Sequence, residues 1–161
     1  MPGGGIEYFL KIDGIAGETT DRRHKEEIEL VSFSWGLEQA AARGRGSGGG
    51  AGKAQLKQFQ FLMRVNKASP GVFLAAASGK HIKEATLSVS GRGKAAFDWL
   101  KVKFREILIT SYEQAGDDAD PPHELVAFDF AKVELQYSRS RRGARATPIT
   151  AGWDLSKNVK I

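Results

Sequence analysis

Apolar residues in this chain recur at every second position in one run after another. That spacing commits most of the chain to strands, because side chains alternate between the two faces of a strand, whereas a helix repeats every 3.6 residues. In EIELVSFSWGLE, Ile28 and Leu30 share one parity and Val31, Phe33, Trp35 and Leu37 the other, so the phase slips and a bulge is expected near Leu30. Phe59, Phe61, Met63 and Val65 form a second run, and Ala85, Leu87 and Val89 a third, with polar residues between them. Such strands are buried on one face and wet on the other. In FDWLKVKFREILITSY, Leu100, Val102 and Phe104 are in one phase and Ile107 and Ile109 in the other, which predicts a long strand that bends. Runs over Ile6 to Ile12, Leu125 to Tyr137 and Ile149 to Leu155 bring the expectation to seven strands.

One segment breaks the period. Ser69 before Pro70, then Val72, Phe73 and Ala75 to Ala77, then Gly79, reads as an N-cap, a first-turn proline, a short apolar face and a terminal glycine. A single short helix among closely spaced strands predicts a mainly β fold, an antiparallel sandwich or small closed barrel. A doubly wound fold would alternate helices with strands.

Size and composition fit one domain spanning residues 1–161. A chain of this length buries roughly 69% of the surface it exposes when unfolded, enough for a core without covalent staples. There is no cysteine, which removes disulfides, thiol nucleophiles and thiolate metal sites and accords with folding in a reducing cytoplasm. The amino terminus MPGGGIEYFLKIDG has no basic region followed by a long apolar run, so a cleaved secretory signal is not expected. The longest apolar stretch, Val72 to Ala77, falls far short of the about 20 residues that span a membrane, so no membrane insertion is expected.

The net charge of +5 divides unequally among three loops. Residues 39–53, QAAARGRGSGGGAGK, hold six of the 19 glycines together with Arg43, Arg45 and Lys53 and no acid. Residues 113–124, EQAGDDADPPHE, gather Glu113, Asp117, Asp118, Asp120 and Glu124 around a proline pair. Residues 138–147 carry Arg139, Arg141, Arg142 and Arg145.

None of these loops carries a recognisable chemistry. Gly44, Gly46 and Gly49 match G-x-G-x-x-G, but a dinucleotide site needs a strand before and a helix after it, and the residues after this tract are strand-like. The tract ending Gly52-Lys53 has Ser47 where a phosphate-cradling loop has its first glycine, and Ala54 where it has a magnesium-binding hydroxyl. His24, His81 and His123 form no ligand-spaced pair, and a surface or turn role is the default for each. The acidic turn lacks the ordered ligand pattern of a calcium loop. No catalytic residue, cofactor or metal site is expected. The arginines leave a basic nucleic-acid-binding β-domain as one alternative, but Phe33, Trp35, Phe59, Phe61, Phe97, Trp99 and Trp153 fall mostly on apolar phases and read as core rather than as stacking platforms.

FLKIDGIAGE, HKEEIE leading into SFSWG, the glycine tract ending GAGK, SPGVFLAAASGKHI and the terminal GWDLSKNVK occur in that order in one family. The chain resembles the haemolysin-coregulated proteins (Hcp), tube subunits of type VI secretion systems, from about Ile6 to Lys160. The resemblance implies a compact antiparallel β-barrel of two sheets with one short helix, assembling into hexameric rings. Rings stack head to tail into a hollow tube that is enclosed by a sheath, capped by a spike, and able to hold effector proteins. It implies a structural, non-enzymatic protein made in the cytoplasm and exported by the apparatus it belongs to. Arg43, Gly44, Arg45, Gly46, Gly48, Gly49, Gly50, Gly52 and Lys53 then form the loop that reaches toward the next ring. Ser32 and Ser34, which alternation turns away from the core, fall where similar proteins line the lumen. The tail tube of a phage-like contractile particle shares this architecture and is the nearest structural alternative. The basic loops and the acidic turn are expected to meet across a contact between unlike surfaces. The arginine content of residues 138–147, and Arg43 and Arg45, depart from the family's usual appearance.

Overall fold

A computed structural model describes residues 5–39, 52–92, 97–138, 140–141, 144–145 and 147–161. Its strands are β1 (Ile6–Ile12), β2 (Ile28–Leu30), β3 (Ser32–Gln39), β4 (Ala54–Arg64), β5 (His81–Gly91), β6 (Asp98–Ala115), β7 (His123–Tyr137), β8 (Ser140–Arg141), β9 (Ala144–Arg145), β10 (Ile149–Asp154) and β11 (Val159–Lys160), with α1 (Ser69–Ser78) between β4 and β5. The seven expected runs are β1, the near-continuous β2 and β3, β4, β5, β6, β7 and β10. The additional strands β8, β9 and β11 have two residues each, too few for alternation to show.

Every pairing is antiparallel, and the strands close on themselves. β1 lies between β2 and β5, β6 between β5 and β7, and β4 between β7 and β3. β2 runs into β3 through Val31, whose N–H donates to the Leu62 carbonyl at 2.7 Å and joins the two halves of the wall. The near-continuous β2 and β3 close the barrel by pairing first with β1 and then with β4, which leaves the far side of β3 and the end of β6 without strand partners among the described residues. β10 continues the sheet outward from the second half of β7, and β11 adds to β10.

Each phase slip in the sequence marks a bend. Val31 sits at the break between β2 and β3 and is 38% exposed, so the expectation that it shares the inward phase of Phe33 does not hold. The β3–β4 register shifts between Ser34 and Gly36, and this bulge turns Leu37 outward as well. In β6 the slip is Glu106, at φ 58, which switches the buried set from Val102 and Phe104 to Ile107 and Ile109. A non-glycine residue in that region costs on the order of 1 kcal/mol, which the burial of both isoleucines offsets.

The core is aromatic at its centre. Phe59 and Phe104 are fully buried and 4.9 Å apart by ring centroid, and Phe59 stacks on Phe128 at 4.9 Å. Trp35 meets Phe104 edge to face at 5.4 Å, and Phe33 stacks on Phe59 at 5.9 Å. These aromatics therefore fill the barrel, as their phases require.

Helix α1 begins one residue earlier than expected. Ala68 is the N-cap residue and has no capping side chain; the Asn66 side chain instead closes the turn before the helix by accepting from the Ala68 N–H at 2.8 Å. Ser69 turns inward instead: its hydroxyl accepts from the Asn66 N–H at 2.9 Å and donates to Glu124. Glu124 is fully buried and also accepts from the Tyr112 hydroxyl and from Gln114 Nε2 at 3.0 Å. Burial and this hydrogen bond to a carboxylate push the Tyr112 hydroxyl up to about 12. The helix ends as expected on Gly79, at φ 66.

Candidate functional site

The second half of β6, the first half of β7, β4 and β3 form one face of the barrel wall. Phe33, Phe59, Phe61 and Phe128 point inward from it, so their neighbours point out. Ser32 and Ser34 are both exposed, as alternation predicted, opposite Leu62 and Gln60 of β4. Across the next pairing, Gln60 faces Ala127 and Leu62 faces Leu125 of β7. Gln58 Nε2 donates to Thr110 Oγ1 and to Asp129 Oδ1, each at 2.7 Å, and so ties three strands together on this face. The result is a wall of hydroxyls, amides, small side chains and isolated leucines whose charges are Asp129 and, toward one end, Glu113 and Arg64. It offers hydrogen bonds in several directions and little charge, which suits contact with a polypeptide better than with phosphate.

This four-strand wall has two margins without a strand partner among the described residues, and α1 packs beside the second of them, its Phe73 ring 5.8 Å from that of Tyr112 on β6. β3 pairs only with β4, and β6 beyond Ile109 pairs only with β7. Unpaired margins at opposite sides of one sheet are the geometry through which identical chains join side by side.

Of the glycine-tract residues, Gly52 and Lys53 are described and lead directly into β4. A strand after Lys53 is the wrong element for a phosphate-cradling loop, which needs a helix N-terminus there. Arg43, Gly44, Arg45, Gly46, Gly48, Gly49 and Gly50 lie outside the described residues, as do Arg139 and Arg142 of the arginine segment. β3 and β4 stay paired up to Gln39 and Ala54, on the two sides of the tract. In the 113–124 segment, Asp117 accepts from the N–H groups of Ala119 at 2.8 Å and Asp120 at 3.1 Å. Those bonds hold its carboxyl below the usual carboxylate range and shape the turn. Glu124, counted with this acidic set, instead belongs to the interior.

Sequence reasoning missed a polar centre on the opposite side of the barrel. His24, expected at a surface or in a turn, is 3% exposed because the segment after β1 folds back and lays its ring on Phe9, 4.4 Å between centroids. Its Nδ1 is 3.0 Å from Glu27 Oε1 and its Nε2 2.7 Å from Asp98 Oδ1. Arg23 donates to the same Asp98 oxygen at 3.2 Å and to Ser90 Oγ at 2.6 Å. Burial raises the Glu27 carboxyl above its usual range, although His24 beside it pulls the other way. The cluster fastens the 13–27 segment to the start of β6. Among the described residues no group of three or more His, Cys, Asp or Glu side chains is placed to hold a metal ion.

A family model described as the type VI secretion system effector Hcp matches residues 9–137. The chain is 32% identical to Protein hcp1 of Pseudomonas aeruginosa, over 96% of this chain and 98% of that one. Among solved structures, Hcp1 from Salmonella typhimurium superposes with a TM-score of 0.81 at 33% identity, covering 97% of this chain and 99% of that chain. A structure described as a type six secretion system protein gives 0.88 at 26% identity, covering 98% and 100%.

Proposed function

The chain belongs to the Hcp family of type VI secretion proteins, and from that premise we propose that it is a subunit of the secretion tube, built as six-membered rings whose lumen holds effector proteins. The single domain closes its own barrel while leaving β3 and the end of β6 unpaired at opposite margins of one wall, and this is the observation that carries the reading. A contact between unlike margins repeats with rotation and closes into a ring. The face bearing Ser32, Ser34, Gln58 and Gln60 then lines the hole, and its low charge suits passage of folded cargo. The β3–β4 arm carries the 39–53 tract toward a neighbouring ring. Sheath and spike proteins are the further partners, and the chain is made in the cytoplasm and exported by the apparatus it belongs to. Its role is structural, without catalysis.

Negative-stain imaging of the purified protein should show six-fold rings. Compact monomers that retard labelled DNA would overturn the reading. For the lumen, Ser34→Arg should abolish retention of a co-expressed small effector protein while rings persist, because one substitution places six cations in a sparsely charged wall. Unchanged retention in intact rings would remove Ser34 from the cargo surface.

A further inference from the structure

The segment between β1 and β2 is a strap whose base is closed on itself and whose tip is held to the barrel by side chains alone. At the base the Gly17 N–H donates to the Glu26 carbonyl at 2.8 Å, and the Glu26 N–H donates to the Thr19 carbonyl at 2.9 Å. The two limbs run so close that a Cβ on Gly17 would collide with the Glu27 carbonyl. The base is also fixed from outside, where Glu18 accepts from the Lys67 N–H at 2.6 Å. The tip, residues 20–25, makes no backbone hydrogen bond to another element among the described residues. It reaches the barrel through Arg23, bonded to Asp98 and Ser90, and through His24.

The bonds of His24 require a proton. Both ring nitrogens face carboxylate oxygens, Nδ1 that of Glu27 at 3.0 Å and Nε2 that of Asp98 at 2.7 Å. An ionised carboxylate only accepts, and a neutral imidazole donates from one nitrogen, so both bonds form together only when these three groups hold one extra proton. With it, they and Arg23 are neutral together; without it they carry a net negative charge, and a bare nitrogen faces an oxygen out of water. The neighbouring elements do not replace it. The half-exposed Lys101 of β6 reaches the other Asp98 oxygen only at 3.7 Å, and the exposed Lys11 of β1 acts on Glu27 through solvent-screened charge. Ser90 of β5 is uncharged, and Asp21 within the strap is taken up by the Arg23 N–H at 2.9 Å.

Water has a route to the group. The Glu27 and Asp98 side chains are 12% and 14% exposed, on the wall of a polar cleft of about 600 Å³ that β5, β6 and β7 also line. The other charges on that wall are Asp13, Lys83, Glu84, Lys103 and Glu134.

We propose that the tip of this strap is latched by one proton shared between His24 and its two carboxylates, and that the latch opens as the pH rises and the proton leaves. The direction agrees with Glu27, whose carboxyl burial raises. A carboxyl so raised stabilises the fold below its unfolded value, and that contribution is lost as pH rises through the folded one. Groups this close titrate as a unit, so the proton belongs to the cluster and not to one residue. When it leaves, one N–H remains for two carboxylates, and the tip swings on its closed base. Phe9, buried beneath the imidazole, and Ser90 are then uncovered. The opening is local, because no strand pairing involves residues 20–25.

Arg22, Arg23 and Lys25 make the tip its own reporter for trypsin. Cleavage after these residues is counted by mass spectrometry and divided by the rate on a free peptide of residues 13–27 at the same pH. In the wild type this ratio should rise at least tenfold between pH 7 and pH 9, while cleavage after Lys101, Lys103 and Arg105 of β6 stays constant. Glu27→Gln sets an amide donor against Nδ1, and Asp98→Asn sets one against Nε2, so in either variant a neutral imidazole satisfies both neighbours without the extra proton. Each variant should therefore change less than twofold between the two pH values, whatever its absolute rate. Asp98→Asn also loosens Arg23, so its ratio should be uniformly higher than that of Glu27→Gln. A wild-type ratio that does not rise, or a rise in either variant as large as that of the wild type, overturns the proposal. Should one variant fail to fold, the other and the wild type decide.

Discussion

Phe59→Ala is expected to remove about 4 kcal/mol of stability and to lower the melting temperature of the dissociated subunit by about 8–16 °C. The ring at position 59 has no exposure and lies within 6 Å by centroid of Phe33, Phe61, Phe104 and Phe128. Those neighbours come from three strands besides β4 itself, so collapse around the cavity would have to move β6 and β7, which are fixed there by pairing on both sides. A domain of this size has on the order of 5–15 kcal/mol in hand, so the variant remains folded only marginally. Assembly of the proposed kind would mask the loss, because association binds only the folded chain, and the measurement therefore belongs in dilute protein. Phe59→Leu should recover more than half of the loss. Phe73→Ala is the contrasting control: that ring is 55% exposed on α1 and touches Tyr112 by its edge, so its removal should cost under about 1 kcal/mol. A loss at position 59 as small as that at position 73 would show that the aromatic cluster is not the centre of the core.

How much of this was readable in the sequence depends on how local the determinant is. Alternation within one strand requires no knowledge of neighbours, so the strand runs, the inward aromatics and the outward Ser32 and Ser34 were all legible. So was the bend in β6, because a slip of phase between Phe104 and Ile107 is visible without knowing that Glu106 occupies the left-handed region. The side of Leu37 was not legible, because a bulge at Trp35 arises from pairing with β4 and not from β3 alone. The bridge from Gln58 to Asp129 joins residues 71 apart, and that from His24 to Asp98 residues 74 apart. No spacing rule reaches that far. Ser69 in front of Pro70 is a sound local signal for a cap, and it lost because the helix starts one residue earlier, at Ala68, while Glu124 offered a buried acceptor for the serine hydroxyl. The recognisable order of motifs supplied the family, which no single strand pattern could.

The polar centre around His24 carries the second large effect. His24→Ala is expected to cost about 3–5 kcal/mol near neutral pH, because it removes a buried ring stacked on Phe9 together with its hydrogen bonds to Glu27 and Asp98. The imidazole separates Glu27 from Asp98 and covers Phe9, so its loss leaves two carboxylates facing a cavity, with Arg23 held by only one of them. Lys11 is the other positive charge acting on Glu27. The sign of the pH dependence comes from Glu27, whose carboxyl burial already raises above its ordinary value. A carboxyl raised on folding contributes stability below its unfolded value, and that contribution is lost as pH rises through the folded one. His24 counters the rise, and without it the carboxyl must go higher still. The deficit of His24→Ala relative to the wild type should therefore be smaller at pH 4.5 than at pH 7.5 in urea unfolding followed by tryptophan fluorescence. Glu27→Gln in the same background should reduce the difference between the two pH values by removing the group that titrates. Equal deficits at both pH values would mean that the ring acts through packing on Phe9 alone. Limited proteolysis should locate the damage: cleavage within residues 13–27 should precede global unfolding in the variant, because His24 and Arg23 are what tie that segment to β5 and β6.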